Sequence, residues 1–289
     1  MMKLSVTGDG VLISGIEYFS VRETFDCGQS FRFKVSESEG IYRADGVAFG
    51  RRVSFIQRSE DELFITPCSE AEYESLWRHY LALDEDYAVI RGEMAKKRKG
   101  DLRLAEAMET GKGIRVLHQE PWETLCTFII SQNNNIPRIT GLVAALCRAA
   151  GERLGSDENG DVFAFPTPEA VKALGVDGLF ALKTGFRASY LYDAACKVCD
   201  GTVDLVAVRS YSTEDAAKAL CLIRGVGPKV AACSLLFGFE KADAFPIDVW
   251  VKRVMSEYYP EGIQPSEFGS YAGLAQQYLF YHRRWMEEK

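Results

Sequence analysis

The chain has 289 residues, 47% hydrophobic and 26% charged, ordinary globular proportions that exclude extended disorder and suit two compact domains. Its 34 basic and 41 acidic residues give a net charge of −7, which excludes a non-specific nucleic-acid coater, since phosphate contacts demand a basic protein; any nucleic-acid role must use a local basic surface. No apolar run of about 18 residues marks a membrane span, Met1–Val6 lacks the apolar core of a secretory signal, and eight scattered cysteines suit reduced thiols better than a disulfide framework, so a cytosolic protein with no membrane contact is expected.

In chain order, the first 70 or so residues read as strands. Arg52–Ile56 and Glu62–Thr66 are short β-type runs around the polar turn Arg58–Asp61, with Gly46 and Gly50 punctuating the segment before them. From about Glu72 the period becomes helical. Leu125, Phe128 and Ile129 share one helical face; Ile139, Leu142, Val143 and Leu146 make a buried stripe on the next helix. Thr167-Pro168 has the N-cap and first-turn residues of a helix start. The expected architecture is α+β: a small mixed N-terminal β-sheet domain over residues 1–80 and a larger all-α domain over 81–289.

Chemistry concentrates in Leu220–Ala231, where an apolar helix end meets Gly225-Val226-Gly227 and a second helix starts at Pro228-Lys229. Gly225 and Gly227 permit close backbone approach, and the open N–H groups of the new helix form a phosphate site. This is a helix-hairpin-helix, which grips DNA backbone without reading sequence; the alternative is a packed C-cap glycine. Lys229 is either a phosphate contact or a nucleophile. Its first-turn position, at the positive end of the helix dipole, favours the free amine. Asp248, in Phe245-Pro246-Ile247-Asp248, is placed to cap the following helix, and a carboxylate so held also suits a developing sugar cation.

Four blocks in order carry a resemblance: Cys27–Phe33 (CGQSFRF), Ser131–Thr140 (SQNNNIPRIT), the hairpin through Asp248, and Tyr271–Phe280 (YAGLAQQYLF). Together they resemble the HhH-GPD superfamily of base-excision DNA glycosylases, and within it the eukaryotic-type branch of 8-oxoguanine DNA glycosylases. The resemblance implies a monomeric, bifunctional glycosylase and lyase acting on double-stranded DNA containing 8-oxoguanine, with no cofactor and no metal in its chemistry. It implies that Lys229 attacks the sugar C1′ and forms a Schiff base, that β-elimination cuts the strand, and that Asp248 stabilises the cationic transition state. It places Gly28, Cys233, Gln276 and Phe280 around the flipped base. The Gly28 carbonyl accepts from N7–H, which guanine lacks, Gln276 reads the Watson–Crick edge, and Phe280 stacks. It assigns Asn133, Arg138, Phe186 and Arg187 to the gap and the opposite cytosine, and Gly225 and Gly227 to the DNA backbone.

The branch usually has Tyr at the position of Phe186 and His at that of Trp250, so one polar handle is missing here and the resemblance does not extend to a phosphate contact from Trp250. A cation on the carbonyls of Cys221, Ile223 and Val226 is a family possibility the sequence leaves open. Outside the resemblance, Cys196-Lys197-Val198-Cys199 lacks a second ligand pair for zinc. The absence of cysteines after Cys233 argues against relatives that carry an iron–sulfur cluster. Lys96–Lys99 is a basic run, read as a solvated loop or helix face, with DNA contact as the alternative. Two rivals remain: an alkyl-purine glycosylase using water, which needs no Lys229, and a silent DNA-binding module, which needs no base pocket.

Overall fold

Six short strands near the N-terminus pair into one antiparallel sheet. In this computed structural model, which describes residues 2–157 and 160–287, β1 (Lys3–Thr7), β2 (Gly10–Ser14), β3 (Phe33–Ser38), β4 (Ile41–Ala48), β5 (Arg51–Ser59) and β6 (Glu62–Thr66) stand in the order β1-β2-β6-β5-β4-β3. Between β2 and β3 lies α1 (Val21–Asp26). On β5 the inward set is Val53, Phe55 and Gln57, and Phe55 pairs with Ala44 on β4 and Ile65 on β6. Strand periodicity thus puts the large side chains on one face. A helical segment covers that face: α2 (Glu70–Glu72), a π-helical turn (Tyr73–Trp77) and α3 (Arg78–Tyr80). Phe55 meets Trp77 edge-on at 5.6 Å between ring centroids.

The sequence expectation falls short at two boundaries here. The strand expected over Arg52–Ile56 continues to Ser59, because Gln57, polar in sequence, is buried and fully used. Its Oε1 accepts from Val21 N at 2.8 Å and its Nε2 donates to Phe19 O at 3.0 Å. The helix expected from Glu72 starts at Glu70, fixed by a capping box between Ser69 and Glu72.

The remaining chain is helical: α4 (Tyr87–Lys97), α5 (Leu102–Thr110), α6 (Pro121–Ser131), α7 (Ile136–Ala150), α8 (Pro168–Leu179), α9 (Arg187–Cys199), α10 (Leu205–Ser210), α11 (Thr213–Leu220), α12 (Pro228–Gly238), α13 (Val249–Tyr258) and α14 (Ala272–Glu287). One two-stranded hairpin, β7 (Arg153–Asp157) with β8 (Gly160–Phe163), interrupts it, where the sequence expectation was all-α. Its strands are short and polar, which hides them from a periodicity reading. The stripe Ile139, Leu142, Val143, Leu146 is buried as expected, and Thr167 caps α8 through Ala170 N at 3.2 Å.

Two apolar cores organise the helices. One joins α6, α7, α9, α11 and α12; the other joins α4, α5, α13 and α14. Among the described residues α6 is buried nearly all round, from Trp122 to Ile130, as expected of a central helix. All eight cysteines are free thiols, and among the described residues no helix is long and apolar enough to cross a membrane.

Candidate active site

The hairpin between α11 and α12 has the geometry its glycines require. Gly225 has φ +79, and a Cβ there would stand 2.2 Å from the Tyr190 ring, so both backbone and packing demand glycine. Gly227 is the N-cap of α12 with φ −105, and nothing lies within 4 Å of its Cβ position. No side chain caps α12, leaving its first N–H groups to be satisfied from outside. Helix α9 anchors the turn: Asp193 Oδ2 accepts from Arg224 N at 2.7 Å and from Lys197 Nζ at 2.8 Å, while Lys197 Nζ also donates to Leu222 O at 2.6 Å.

Lys229, in the first turn of α12, turns back toward the end of α6. Its Nζ donates to Ser131 Oγ at 3.3 Å and stands 5.4 Å from the centroid of the Phe128 ring. One turn further along α12 lies Cys233, buried. Burial pushes its thiol up to about 11, with the Lys229 ammonium pulling it down and the Asp248 carboxylate pushing it up. Both charges therefore act on one buried sulfur. Asp248 is the N-cap of α13, with Oδ1 accepting from Val251 N at 2.8 Å; this fixes one carboxylate oxygen beside the helix start. Trp250, exposed, carries the Arg253 guanidinium 5.2 Å from its ring centroid.

A second group forms around Gly28, whose φ is +80 and whose Cβ position faces Cε1 of Phe280 at 3.8 Å. Gln29, not singled out on sequence grounds, holds that loop. Its Nε2 donates to Thr24 O and Arg115 O, both at 2.8 Å, and its Oε1 accepts from Leu117 N at 2.9 Å. Only its position in the Gly-Gln-Ser block pointed to it. Gln276 is buried, and its Oε1 accepts from Gln277 Nε2 at 2.9 Å. An open cleft of about 470 Å³ runs between the Gly28 loop, Phe31 and the start of α7 at Ile136 and Thr140. Lys229 and Asp248 do not line this cleft.

The third group is the loop between α6 and α7, where each asparagine has its own task. Asn133 takes a left-handed conformation with φ +48, which Asn tolerates better than most residues. Asn134 Nδ2 donates to Ile130 O at 3.2 Å, and Asn135 caps α7 by accepting from Arg138 N at 3.0 Å. Arg187 pins the loop from α9. Its guanidinium donates to Gln132 O through Nε at 2.9 Å, to Asn133 O at 3.1 Å and to Thr184 O at 3.2 Å, with a further contact from Nη2 to Gln132 O. Burial and then the nearby Arg138 charge lower its affinity for its proton. Arg138 is exposed; Phe186, 48% exposed, packs edge-on against Tyr190 at 5.6 Å. The structure thus brings together Lys229 with Ser131 and Cys233, with Asp248 near enough for its charge to act on the same thiol; Gly28 with Phe280; and Arg187 with Asn133, Arg138 and Phe186.

Residues 11–125 match the family model for the N-terminal domain of 8-oxoguanine DNA glycosylase, and residues 126–267 match the model for HhH-GPD superfamily base excision DNA repair proteins. The chain is 30% identical over 281 residues to the N-glycosylase/DNA lyase OGG1 of Arabidopsis thaliana, covering 89% of this chain and 75% of that protein. The chain belongs to the 8-oxoguanine DNA glycosylase family. Solved structures of this family superpose along the whole length. The structure of MBOgg1 in complex with a low-affinity DNA ligand is 37% identical, covers 99% of both chains and gives a TM-score of 0.90. The Clostridium acetobutylicum 8-oxoguanine glycosylase/lyase, in complex with double-stranded DNA containing cytosine opposite 8-oxoG, is 34% identical over 99% of this chain and 98% of that one, with a TM-score of 0.88. As a member of the family the protein is a bifunctional DNA glycosylase and lyase of base-excision repair.

Proposed function

We propose that the protein removes 8-oxoguanine from duplex DNA, with Lys229 as nucleophile. The observation that carries this is Lys229 Nζ in the first turn of α12, 3.3 Å from Ser131 Oγ and beside the buried Cys233 thiol, on which the charge of the N-cap residue Asp248 also acts. The free amine attacks C1′ and the C1′–N9 bond breaks, its electron pair leaving with the base, which takes up a proton. The sugar ring opens to a Schiff base on Nζ. Loss of a proton from C2′ then expels the 3′ phosphate by β-elimination, and water hydrolyses the imine to regenerate the amine. Asp248 offsets the positive charge that develops on the sugar.

The base must leave the helix first. The Gly28 carbonyl accepts from N7–H of the lesion, the Gln276 amide meets its Watson–Crick edge, and Phe280 and Cys233 flank it. Asn133 enters the gap and Phe186 wedges beside it. Arg138, exposed beside the loop, donates to the cytosine, and Arg187 holds the loop that presents Asn133. Gly225 and Gly227 let the DNA backbone approach the open N–H groups of α12. The substrate is double-stranded DNA, taken by a monomer.

The test is single-turnover base release and strand cleavage on duplexes carrying 8-oxoguanine opposite each of the four bases. The expected outcome is fastest turnover opposite cytosine, with the preference flattened by Arg138→Ala. Uniform turnover in the wild type overturns the role of Arg138, and no base release from any duplex overturns the substrate.

A further inference from the structure

Away from the Lys229 site, three side chains converge where the sheet domain meets the helices. His79 belongs to α3, Asp84 follows in the loop after it, and His118 lies in the segment leading into α6. One ligand atom from each falls within 4.8 Å of the other two. His118 Nδ1 is 3.3 Å from His79 Nδ1 and 3.2 Å from His79 Nε2, and His79 Nδ1 is 2.9 Å from Asp84 Oδ2. A tetrahedral ion with bonds of about 2.0–2.1 Å has ligand atoms about 3.3 Å apart; the two histidines stand at that spacing, and Asp84, hydrogen-bonded to His79 without an ion, exchanges that bond for the metal.

The backbone around the cluster is fixed. His118 N donates to Tyr80 O at 3.0 Å, Gln119 N to Phe237 O at 2.8 Å, and Ala82 N to His79 O at 2.8 Å. Ala82 takes φ +51, folding Asp84 back beside His79. The far side of each ring meets a carboxylate: Glu85 Oε1 is 3.1 Å from His118 Nε2, and Glu240 Oε1 is 3.4 Å from His79 Nε2. Glu240 is itself held by Arg209 Nη1 at 2.6 Å. Carboxylates behind ligating histidines orient the rings and raise their basicity. Asp84, Glu85 and Glu240 against Arg209 leave two negative charges, matched to a dication. The His118 side chain is 9% exposed, whereas His79 and Asp84 are 49% and 38% exposed, so the cluster has a buried ligand, an entry path and an open side.

We propose that His79, Asp84 and His118 bind a divalent transition-metal ion of the zinc class, with Glu85 and Glu240 as outer partners and the open side left to water. Two imidazoles and one carboxylate suit such an ion better than magnesium or calcium, which prefer oxygen throughout. The ion ties α3 to the segment before α6, and Glu240 extends the tie to the chain after α12. Its role is structural, and it takes no part in the reaction at Lys229.

The experiment uses the whole enzyme, stripped with a chelator, then titrated with zinc by calorimetry and with cobalt by visible absorption, with melting followed in parallel. The expected result is one ion per chain, a cobalt spectrum of nitrogen and oxygen ligands, and a higher melting temperature on zinc addition. His79→Gln and Asp84→Asn, both on exposed side chains, abolish binding while leaving the metal-free melting temperature close to wild type. Glu85→Gln weakens binding by about 10–100-fold. His79→Gln remains decisive should His118→Asn not fold. Absence of binding, equal binding by wild type and His79→Gln, or a cobalt thiolate charge-transfer band that places the ion on Cys196 and Cys199 overturns the proposal.

Discussion

Two glycines two residues apart separate what the hairpin needs to fold from what it needs to bind. Gly225→Ala forces an L-residue to φ +79 with its Cβ 2.2 Å from Tyr190. The left-handed backbone costs about 1–2 kcal/mol and moving a packed ring about 1–3 kcal/mol, so a loss of about 2–5 kcal/mol is expected, a melting temperature lower by roughly 5–15 °C. Because Tyr190 also packs on Phe186 at 5.6 Å, a displaced ring disturbs Phe186 as well. Gly227→Ala meets no atom within 4 Å and exchanges one N-cap residue for a poorer one, at a cost of about 1 kcal/mol or less. If the added methyl group costs one contact between the helix start and a phosphate, duplex binding weakens by about tenfold. Differential scanning fluorimetry and fluorescence anisotropy at one fixed salt concentration measure both. A Gly225→Ala protein that melts with the wild type refutes the steric argument, and a Gly227→Ala protein that binds duplex as tightly as wild type refutes the phosphate role of the helix start.

Asp248→Asn keeps an equally good N-cap, so its melting temperature stays near wild type while single-turnover base release falls by about 10²–10³; an equal loss of both in scanning calorimetry and kinetics contradicts a charge role. Arg187→Lys removes the fork that reaches the carbonyls of Gln132, Asn133 and Thr184, and is expected to cost about 1.5–3 kcal/mol by denaturant titration and to weaken duplex binding. The Cys233 thiol, raised to about 11 by burial, carries thiolate only as the pH nears that value. Native alkylation near neutral pH followed by mass spectrometry is therefore expected to label exposed Cys221 and spare Cys233. Prompt labelling of Cys233 contradicts its buried, neutral state.

Local patterns were legible in the sequence, and distant polar partners were not. The hairpin, its glycines and the Asp248 cap lie within short stretches whose turn and cap chemistry speaks for itself, and the stripe on α7 follows from spacing alone. Lys229 and Ser131, by contrast, are 98 residues apart, and Arg187 and Gln132 are 55 apart. No periodicity links such pairs. Buried polar residues misled most: Gln57 shortened a strand on paper because its partners on Val21 and Phe19 were invisible, and Gln29 read as an ordinary member of its block. His79 and His118, 39 residues apart, had no spacing that suggested shared ligation. The assignment of Gly28, Gln276 and Phe280 to a base pocket rests on the block resemblance, since these residues have no common signature of their own.

The central claim, an imine on Lys229 formed at an 8-oxoguanine lesion, is met most directly by borohydride trapping. Enzyme is incubated with duplex DNA carrying one 8-oxoguanine opposite cytosine, reduced, and resolved on a denaturing gel, with undamaged duplex and Lys229→Gln as controls. A covalent protein–DNA band that requires both the lesion and Lys229 is the predicted result. Released base with an intact abasic strand and no band would contradict it, and would leave Lys229 a phosphate contact in an enzyme that uses water.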